Sequence, residues 1–206
     1  MVVRLDDEEV LVSSHSTHTV IGPTHRGPRP GRRERRSERR RLRRQDALSR
    51  RLAELHAVRA LLAHAADVVG AGWIQDAWFA VGTAEGTRAV TAYDLPWASR
   101  RPVTGACLVG AVVQAAGGPA TVRSQLVQRT LDLLWHALHE DPERPVRWCP
   151  GPRVRMMQVL ELTRWNDTPG RTQGEVVGLL ASAQRTADRQ RDLCLVEQAE
   201  AGSAVR

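Results

Sequence analysis

The sequence predicts a mainly α-helical protein: one compact helical domain with a small β-hairpin at about residues 77–93, preceded by a disordered leader and an arginine-rich arm. Three observations predict this class. Apolar residues recur at helical spacing over most of the chain after residue 47. About 130 to 155 residues remain outside the leader and arm, the usual size of one domain. The excess positive charge is confined to one stretch, residues 26–51.

The predicted organisation has four parts. A disordered leader covers residues 1–31, where the turn-rich sequence GPTHRGPRPG disfavours regular structure. The arm covers residues 26–51 and merges into the first helix. The helical domain follows at residues 52–190, and a fraying tail at residues 191–206 ends the chain.

The arm holds the excess basic charge. Residues 26–51 contain thirteen arginines and three acidic residues, whereas residues 1–25 carry a net charge of −3 and residues 52–206 balance sixteen arginines with sixteen acids. Blocks of like charge commonly serve as interaction tails. All thirty basic residues are arginine, which indicates the coding bias of a high-GC bacterium or its phage. The clustering therefore predicts a polyanionic partner, whereas the choice of arginine over lysine predicts nothing about it.

Composition excludes several classes of protein. No apolar run approaches the ~18 residues that span a bilayer, and the acidic start MVVRLDDEEV lacks the pattern of a secretory signal. Cys107, Cys149 and Cys194 are odd in number and widely spaced, which argues against a disulfide framework or a structural zinc site. We expect a soluble cytoplasmic protein with reduced thiols, no cofactor, no metal and no membrane attachment.

Leucines at a spacing of seven mark the first predicted helix. Leu48, Leu55, Leu62 and Val69 form an apolar face, and Gly70 ends the helix. This face either packs against the protein's own domain or pairs with a partner helix or a second copy. Upstream of it the like charges repel one another, so we expect the arm to fray without a partner.

The middle of the chain predicts a hairpin and two helices. Two apolar-aromatic runs, residues 77–81 and 88–93, flank a Gly-Thr-rich turn. Residues 107–116, CLVGAVVQAA, predict a short buried helix. About residues 121–140 predict the next helix, whose apolar side carries Val122, Leu126, Val127, Thr130, Leu133, Leu134 and Leu138.

The C-terminal third predicts two helices separated by a turn. About residues 153–163 are helical in pattern, through Val154, Met157, Leu160 and Glu161. The pattern breaks at WNDTPGR, residues 165–171. A capping box of Thr172 and Glu175 then opens a helix that should reach about Leu195 and bury Val176, Leu179, Leu180 and Ala183.

Four motifs along this chain form a recognisable series. They are Ala65-Ala66-Asp67, then Gly72-Trp73-Ile74-Gln75, then GACLVGA at 105–111, and finally Trp165-Asn166-Asp167 with Arg171, Thr172, Glu175 and Val176. In this order and spacing they resemble a family of small proteins of unknown function found in actinobacteria and their phages, over roughly Val58 to Ala187. The resemblance implies a cytoplasmic actinobacterial or phage origin. It implies no activity, because no function is established for the family.

The turn at residues 165–171 is the first candidate site. Asn166 and Asp167 would present an amide and a carboxylate beside Trp165, and Arg171 would bind an anion near the helix N-terminus or pair with Asp167. The same residue types also form structural turns before helices, and we favour that interpretation. The full set of ligand-binding or structural candidates is Trp73, Cys107, Trp165, Asn166, Asp167, Arg171, Thr172 and Glu175.

Cys107 is the second candidate, because a helix N-terminus can lower the pKa of a thiol. His64, His136 and His139 would be its candidate bases. The apolar neighbours of Cys107 favour a buried, inert thiol instead, so we assign no catalytic residue. A further group in the leader, His15, His18 and His25, is not expected to bind metal because flexible ligands are not preorganised.

The arm is the third candidate and leads to the first functional hypothesis: a non-catalytic accessory or regulatory protein that binds nucleic-acid phosphates. The predicted binding residues are Arg32, Arg33, Arg35, Arg36, Arg39, Arg40, Arg41, Arg43 and Arg44. The alternative is a protein-interaction module that uses the Leu48–Val69 helix face. A second alternative is a small-ligand binder or thiol enzyme that uses Cys107 or the Trp165–Arg171 turn.

Overall fold

The computed structural model describes residues 31–94, 101–140, 144–148 and 151–203. These residues form five α-helices and three strands: α1 (Arg32–Ala71), β1 (Phe79–Thr83), β2 (Gly86–Val90), β3 (Val103–Ala106), α2 (Leu108–Ala115), α3 (Gln125–His139), α4 (Pro152–Asn166) and α5 (Gln173–Ser203). The predicted fold class, mainly α with a small hairpin, is confirmed. Residues 1–30 of the predicted leader, with its three histidines, lie outside the described residues.

The chain divides into two units, residues 1–38 and residues 39–206. In the first unit the described residues carry the start of α1, where the amide of Arg35 donates to the carbonyl of Gly31 at 3.1 Å. The second unit contains all the other helices and the sheet. The boundaries predicted at residues 31, 51 and 190 stay predictions.

Helix α1 begins at Arg32 and so runs back through the described part of the arm. Fraying of the arm in the absence of a partner stays a prediction. Arginine has a high helix propensity, and residues 32–57 contain no Gly, no Pro and no β-branched residue. In the second unit, Arg44 lies 2.8 Å from Glu197 and Arg51 donates to Gln190 at 3.2 Å. These local and tertiary contributions oppose the repulsion between neighbouring arginines.

The heptad face of α1 is buried inside the second unit. Leu48 and Leu55 are 5% and 3% exposed, and Leu62 and Val69 are fully buried. Full burial of one such side chain stabilises the fold by roughly 1.5–3 kcal/mol. Of the two uses predicted for this face, packing against the protein's own domain is confirmed, so the face is not available to a partner helix.

The sheet has the strand order β2-β1-β3 and is antiparallel throughout. The predicted hairpin is confirmed as β1 and β2, joined by a turn at residues 84–85. β3 was not predicted because its four residues, VTGA, are too short to show an alternating pattern. Its pairing of Ala106 with Phe79 brings the start of α2 against the sheet.

Helices α2 and α3 form the centre of the core. The first six residues of α2 are all buried, as the sequence predicts. α3 begins at Gln125 rather than near Thr121, because Ser124 caps it by accepting from the amide of Val127 at 3.3 Å. Its apolar side buries Val127, Leu131, Leu133 and Leu134.

Helix α4 is confirmed, and it exposes the apolar residues of its helical pattern. Val154, Met157 and Leu160 are 52%, 47% and 42% exposed. The buried side instead carries Gln158, Leu162 and Asn166. Because two of these three buried residues carry an amide, the apolar pattern predicts the helix but not its buried side.

Helix α5 opens with the predicted capping box. The amide of Glu175 donates to the Thr172 hydroxyl at 3.3 Å, and the Glu175 carboxylate accepts from the Thr172 amide at 2.8 Å. The helix continues to Ser203 rather than ending near Leu195, and Cys194 is buried near its end. Among the described residues, no helix is both long and apolar enough to cross a membrane.

Candidate functional site

Asn166 lies at the centre of the motifs that the sequence singled out. It is fully buried at the last position of α4. Its Oδ1 accepts from the indole Nε1 of Trp73 at 2.9 Å and from the amide of Leu108 at 3.0 Å. One side-chain oxygen therefore joins the segment after α1 to the first turn of α2.

The amide nitrogen of the same side chain makes two further hydrogen bonds. Asn166 Nδ2 donates to the carbonyl of Ile74 at 3.2 Å and to Asp167 Oδ1 at 2.8 Å. A primary amide offers two donor hydrogens and an oxygen with two lone pairs. Asn166 uses all four, so its amide has no remaining capacity for a ligand.

The segment after α1 is held by the turn after α4 through two more side chains. Asp167 Oδ1 accepts from the amide of Asp76 at 3.1 Å, and Asp76 has a φ of 61°, in the left-handed region. Gln75 Nε2 donates to the carbonyls of Asn166 and Thr168 at 2.9 and 3.1 Å. We call Trp73, Ile74, Gln75, Asp76, Leu108, Asn166 and Asp167 the Asn166 junction.

Arg171 completes the turn without contacting the junction carboxylate. Its guanidinium carbon lies 4.1 Å from the ring centroid of Trp165, and its Nε donates to the Trp165 carbonyl at 3.1 Å. Its other partner is Glu175, at 2.8 Å, rather than the Asp167 that we considered. Hydrogen bonds from the Thr172 amide and hydroxyl lower the pKa of Glu175, which keeps the carboxylate ionised beside Arg171.

Glycines allow the backbones around the junction to approach closely. A Cβ on Gly110 would lie 2.0 Å from the carbonyl oxygen of Trp78, and one on Gly72 would lie 2.5 Å from that of Thr104. A Cβ on Gly105 would lie 2.9 Å from Cγ2 of Ile74. Gly72 belongs to the second of the four sequence motifs, and Gly105 and Gly110 belong to the third, so these two motifs also allow close packing.

A family model matches residues 53–186, and its description is a family of unknown function, DUF6197. The chain belongs to this family. No curated protein and no solved structure matches it. The matched DUF6197 region contains the whole Asn166 junction and none of the arm arginines up to Arg44.

Cys107 of the DUF6197 region lies at the N-terminus of α2. It is fully buried, and its thiol caps α2 by accepting from the amide of Gly110 at 3.4 Å. Burial raises the pKa of the thiol to about 12. Among the described residues, the thiol has the Gly110 amide as its hydrogen-bond partner rather than one of the predicted bases. Of those bases, His64 and His139 are exposed.

We expect Cys107 to be nearly inert in the folded protein. At about pH 8, a pKa near 12 leaves about a thousandfold less thiolate than the ordinary value of 9.0. Timed alkylation followed by peptide mass spectrometry should show correspondingly slow labelling in buffer and fast labelling in urea. Equal rates for Cys107 in the two conditions would contradict the burial.

Eight of the nine predicted binding arginines of the arm are exposed, and all nine precede the DUF6197 region. In the first unit these are Arg32, Arg33, Arg35 and Arg36, and in the second unit Arg39, Arg40, Arg43 and Arg44. Arg41 is half-buried. Within each unit the spacing repeats after one helical turn of about four residues: Arg32 with Arg36, and Arg39 and Arg40 with Arg43 and Arg44.

The sequence interpretation missed the contacts of two glutamines in the DUF6197 region, Gln173 and Gln75. Gln173 Nε2 donates to the carbonyls of Val69 and Gly70 at 2.5 and 3.2 Å, and so caps the C-terminus of α1. Gln75 was part of a motif but was given no role.

In the described part of the chain, no group of three or more His, Cys, Asp or Glu side chains is placed to hold a metal ion.

Proposed function

We propose that the protein is a non-catalytic accessory or regulatory protein that binds the phosphate backbone of nucleic acid through its arm. The observation that carries this proposal is the density of the arm. Nine of the thirteen residues from Arg32 to Arg44 are arginine, and eight of these nine side chains are exposed. Nucleic acid is the polyanion whose regularly spaced phosphates suit such a row of cations.

Little sequence preference is expected. Reading base edges needs particular side chains set into a groove, whereas arginines spread along a helix mainly contact phosphates. Residues 52–206, which include most of the second unit, balance sixteen arginines with sixteen acids. The affinity would therefore come from the arm, and the DUF6197 region would supply a location or a partner.

The chemistry of the Asn166 junction supports a non-catalytic role. The side-chain amide of Asn166 makes four internal hydrogen bonds. Near the junction in sequence, Arg171 is paired with Glu175 and the thiol of Cys107 is buried. Each polar group that was a candidate for ligand binding thus has a structural use.

The same proposal includes a cytoplasmic location and an origin in an actinobacterium or its phage. The exclusive use of arginine among the basic residues supports this origin.

Binding to labelled duplex DNA and duplex RNA, measured by fluorescence anisotropy across a salt series, tests the proposal. With six to ten phosphate contacts, affinity should fall by about 10³ to 10⁵ between low and moderate salt. Replacing seven of the exposed arginines of the arm by glutamine should remove most of this binding: Arg32, Arg33, Arg35, Arg36, Arg39, Arg40 and Arg43. Undiminished binding by that variant would refute the proposal.

A lysine variant at the same seven positions is the matched control. Lysine keeps the positive charge and loses the planar guanidinium. If the arm acts through charge on phosphates, the lysine variant should bind nearly as well as the natural chain. Glutamine and lysine both have helix propensities close to that of arginine, so circular dichroism should show the same helix content in all three proteins.

A further inference from the structure

A groove in the second unit lies between α1, the start of α3 and the segment that carries Trp148. It encloses about 600 Å³, within the range of roughly 300–1,000 Å³ that small-ligand sites occupy. Its apolar surface comes from Ala47, Leu55, Val58 and Leu126. The groove lies apart from the Asn166 junction, because no junction residue lines it.

Positive charge lines the groove in excess. Arg50, Arg51 and Arg129 contribute three guanidinium groups, against the single carboxylate of Glu54. Glu54 is already neutralised, because its Oε1 lies 3.1 Å from Arg129 Nε. Arg50 donates through Nε to the carbonyl of Asp46, and Arg51 donates through one terminal nitrogen to Gln190. The groove thus favours an anion.

An aromatic ring and a planar cation stand together on one wall. The guanidinium carbon of Arg129 lies 5.3 Å from the ring centroid of Trp148. Both side chains are only partly exposed. Aromatic rings and arginine planes are the surfaces on which nucleobases stack. Glu54 and Gln125, joined by a hydrogen bond of 3.3 Å, add a carboxylate and an amide, the groups that pair with base edges.

We propose that this groove binds a nucleotide, with the phosphate held by Arg50 and Arg51 and the base beside Trp148 and Arg129. The ligand is a phosphate carried by a planar, partly apolar ring system, which matches both the charge and the aromatic wall. The same chemistry is offered by a free mononucleotide and by one unstacked residue of a single strand. The site uses Arg50 and Arg51 at the end of the arm but none of the seven arginines replaced above, so it does not depend on the function proposed above.

Calorimetric titration of the full chain tests this with AMP, adenosine, ribose 5-phosphate and inorganic phosphate. AMP should bind in a 1:1 complex, and each fragment should bind at least about tenfold more weakly, because charged hydrogen bonds and stacking each contribute about that factor. Inorganic phosphate binding as tightly as AMP would overturn the proposed base contact. Adenosine binding as tightly as AMP would overturn the proposed phosphate contact.

Two double variants locate the site. Arg50→Ala with Arg51→Ala should weaken AMP binding by about tenfold or more, because both phosphate contacts are removed. Arg164→Ala with Arg185→Ala removes the same charge from exposed positions outside the groove and should leave AMP affinity unchanged. Equal losses in both double variants would show that net charge rather than the groove is responsible, and would overturn the proposal.

The seven-glutamine arm variant separates the two proposals and identifies the source of the ligand. The full-length seven-glutamine variant should still bind AMP or a short single-stranded oligonucleotide. This binding should still require Arg50 and Arg51. Binding of AMP identifies a free nucleotide, and binding of the oligonucleotide alone identifies a strand. If neither ligand binds at about 1 mM, a concentration that detects even weak sites, the groove proposal is overturned while the arm proposal is unaffected.

Discussion

Replacing Asn166 with alanine is expected to lower the free energy of unfolding by about 3–5 kcal/mol. The change removes the acceptor of the Trp73 indole and of the Leu108 amide, and the donor to the Ile74 carbonyl. Each buried polar group left without a partner costs about 1–3 kcal/mol. Urea unfolding followed by circular dichroism measures the effect, which would be a large part of a typical total stability of about 5–15 kcal/mol.

Two substitutions of similar shape show whether the hydrogen bonds of Asn166 cause this loss. Asn166→Asp keeps the acceptor oxygen but directs a second oxygen at the Ile74 carbonyl and the Asp167 carboxylate, so at neutral pH it should be at least as destabilising. Asp167→Asn keeps the oxygen that accepts from the amide of Asp76 and should cost far less. A mild effect of both Asn166 variants would contradict the central place of this side chain.

Replacing Gly110 with alanine is the second change with a large expected effect. The new Cβ would lie 2.0 Å from the carbonyl oxygen of Trp78, closer than any stable contact, and Gly110 itself is buried. Either α2 or the segment before β1 must move. We expect a loss of about 3 kcal/mol or more in the free energy of unfolding. This is at or above the upper end of the cost that overpacking usually has in protein cores.

Gly178 provides the matched control for this substitution. It lies inside α5, and a Cβ there would meet nothing within 4 Å. Alanine should therefore stabilise the protein by about 0.5–1 kcal/mol through its better helix propensity. Thermal and urea unfolding of the two variants should move in opposite directions. A Gly110→Ala protein as stable as the natural chain would contradict the packing of α2 against Trp78.

Local patterns predicted the elements whose determinants lie close together in the sequence. The heptad leucines of α1 and the capping box at Thr172 and Glu175 are each contained within a few turns of helix. The hairpin at β1 and β2 likewise needs only two adjacent runs and a turn. In each of these cases the residues that decide the local structure are also the residues that pack or cap it.

The features that the sequence did not predict depend on distant residues. The buried side of α4 is chosen by the partners of Asn166, one of which lies 93 positions away at Trp73. The helical arm is supported by a contact between Arg44 and Glu197, and α5 continues past Leu195 over the same contact region. Periodicity within one segment carries no information about such partners.

The candidate site was predicted as a set of residues but not as an arrangement. The sequence named Trp73, Asn166 and Asp167, and favoured a structural role for the turn. It could not indicate that Asn166 would bond to the second and third motifs, because these are brought together only by the folded core. The groove at Arg129 and Trp148 was missed for the same reason, since its walls come from three separate segments.

The most direct test of the arm proposal compares the salt dependence of duplex DNA binding in two variants with equal charge. One replaces Arg36, Arg39, Arg40 and Arg43 by glutamine; the other replaces the exposed Arg123, Arg153, Arg164 and Arg185, which lie outside the arm. Phosphate binding by the arm predicts that the first variant reduces the magnitude of the slope of log affinity against log salt by about 3 to 4. The second should leave the slope nearly unchanged. Equal slopes for the two variants would contradict the proposal.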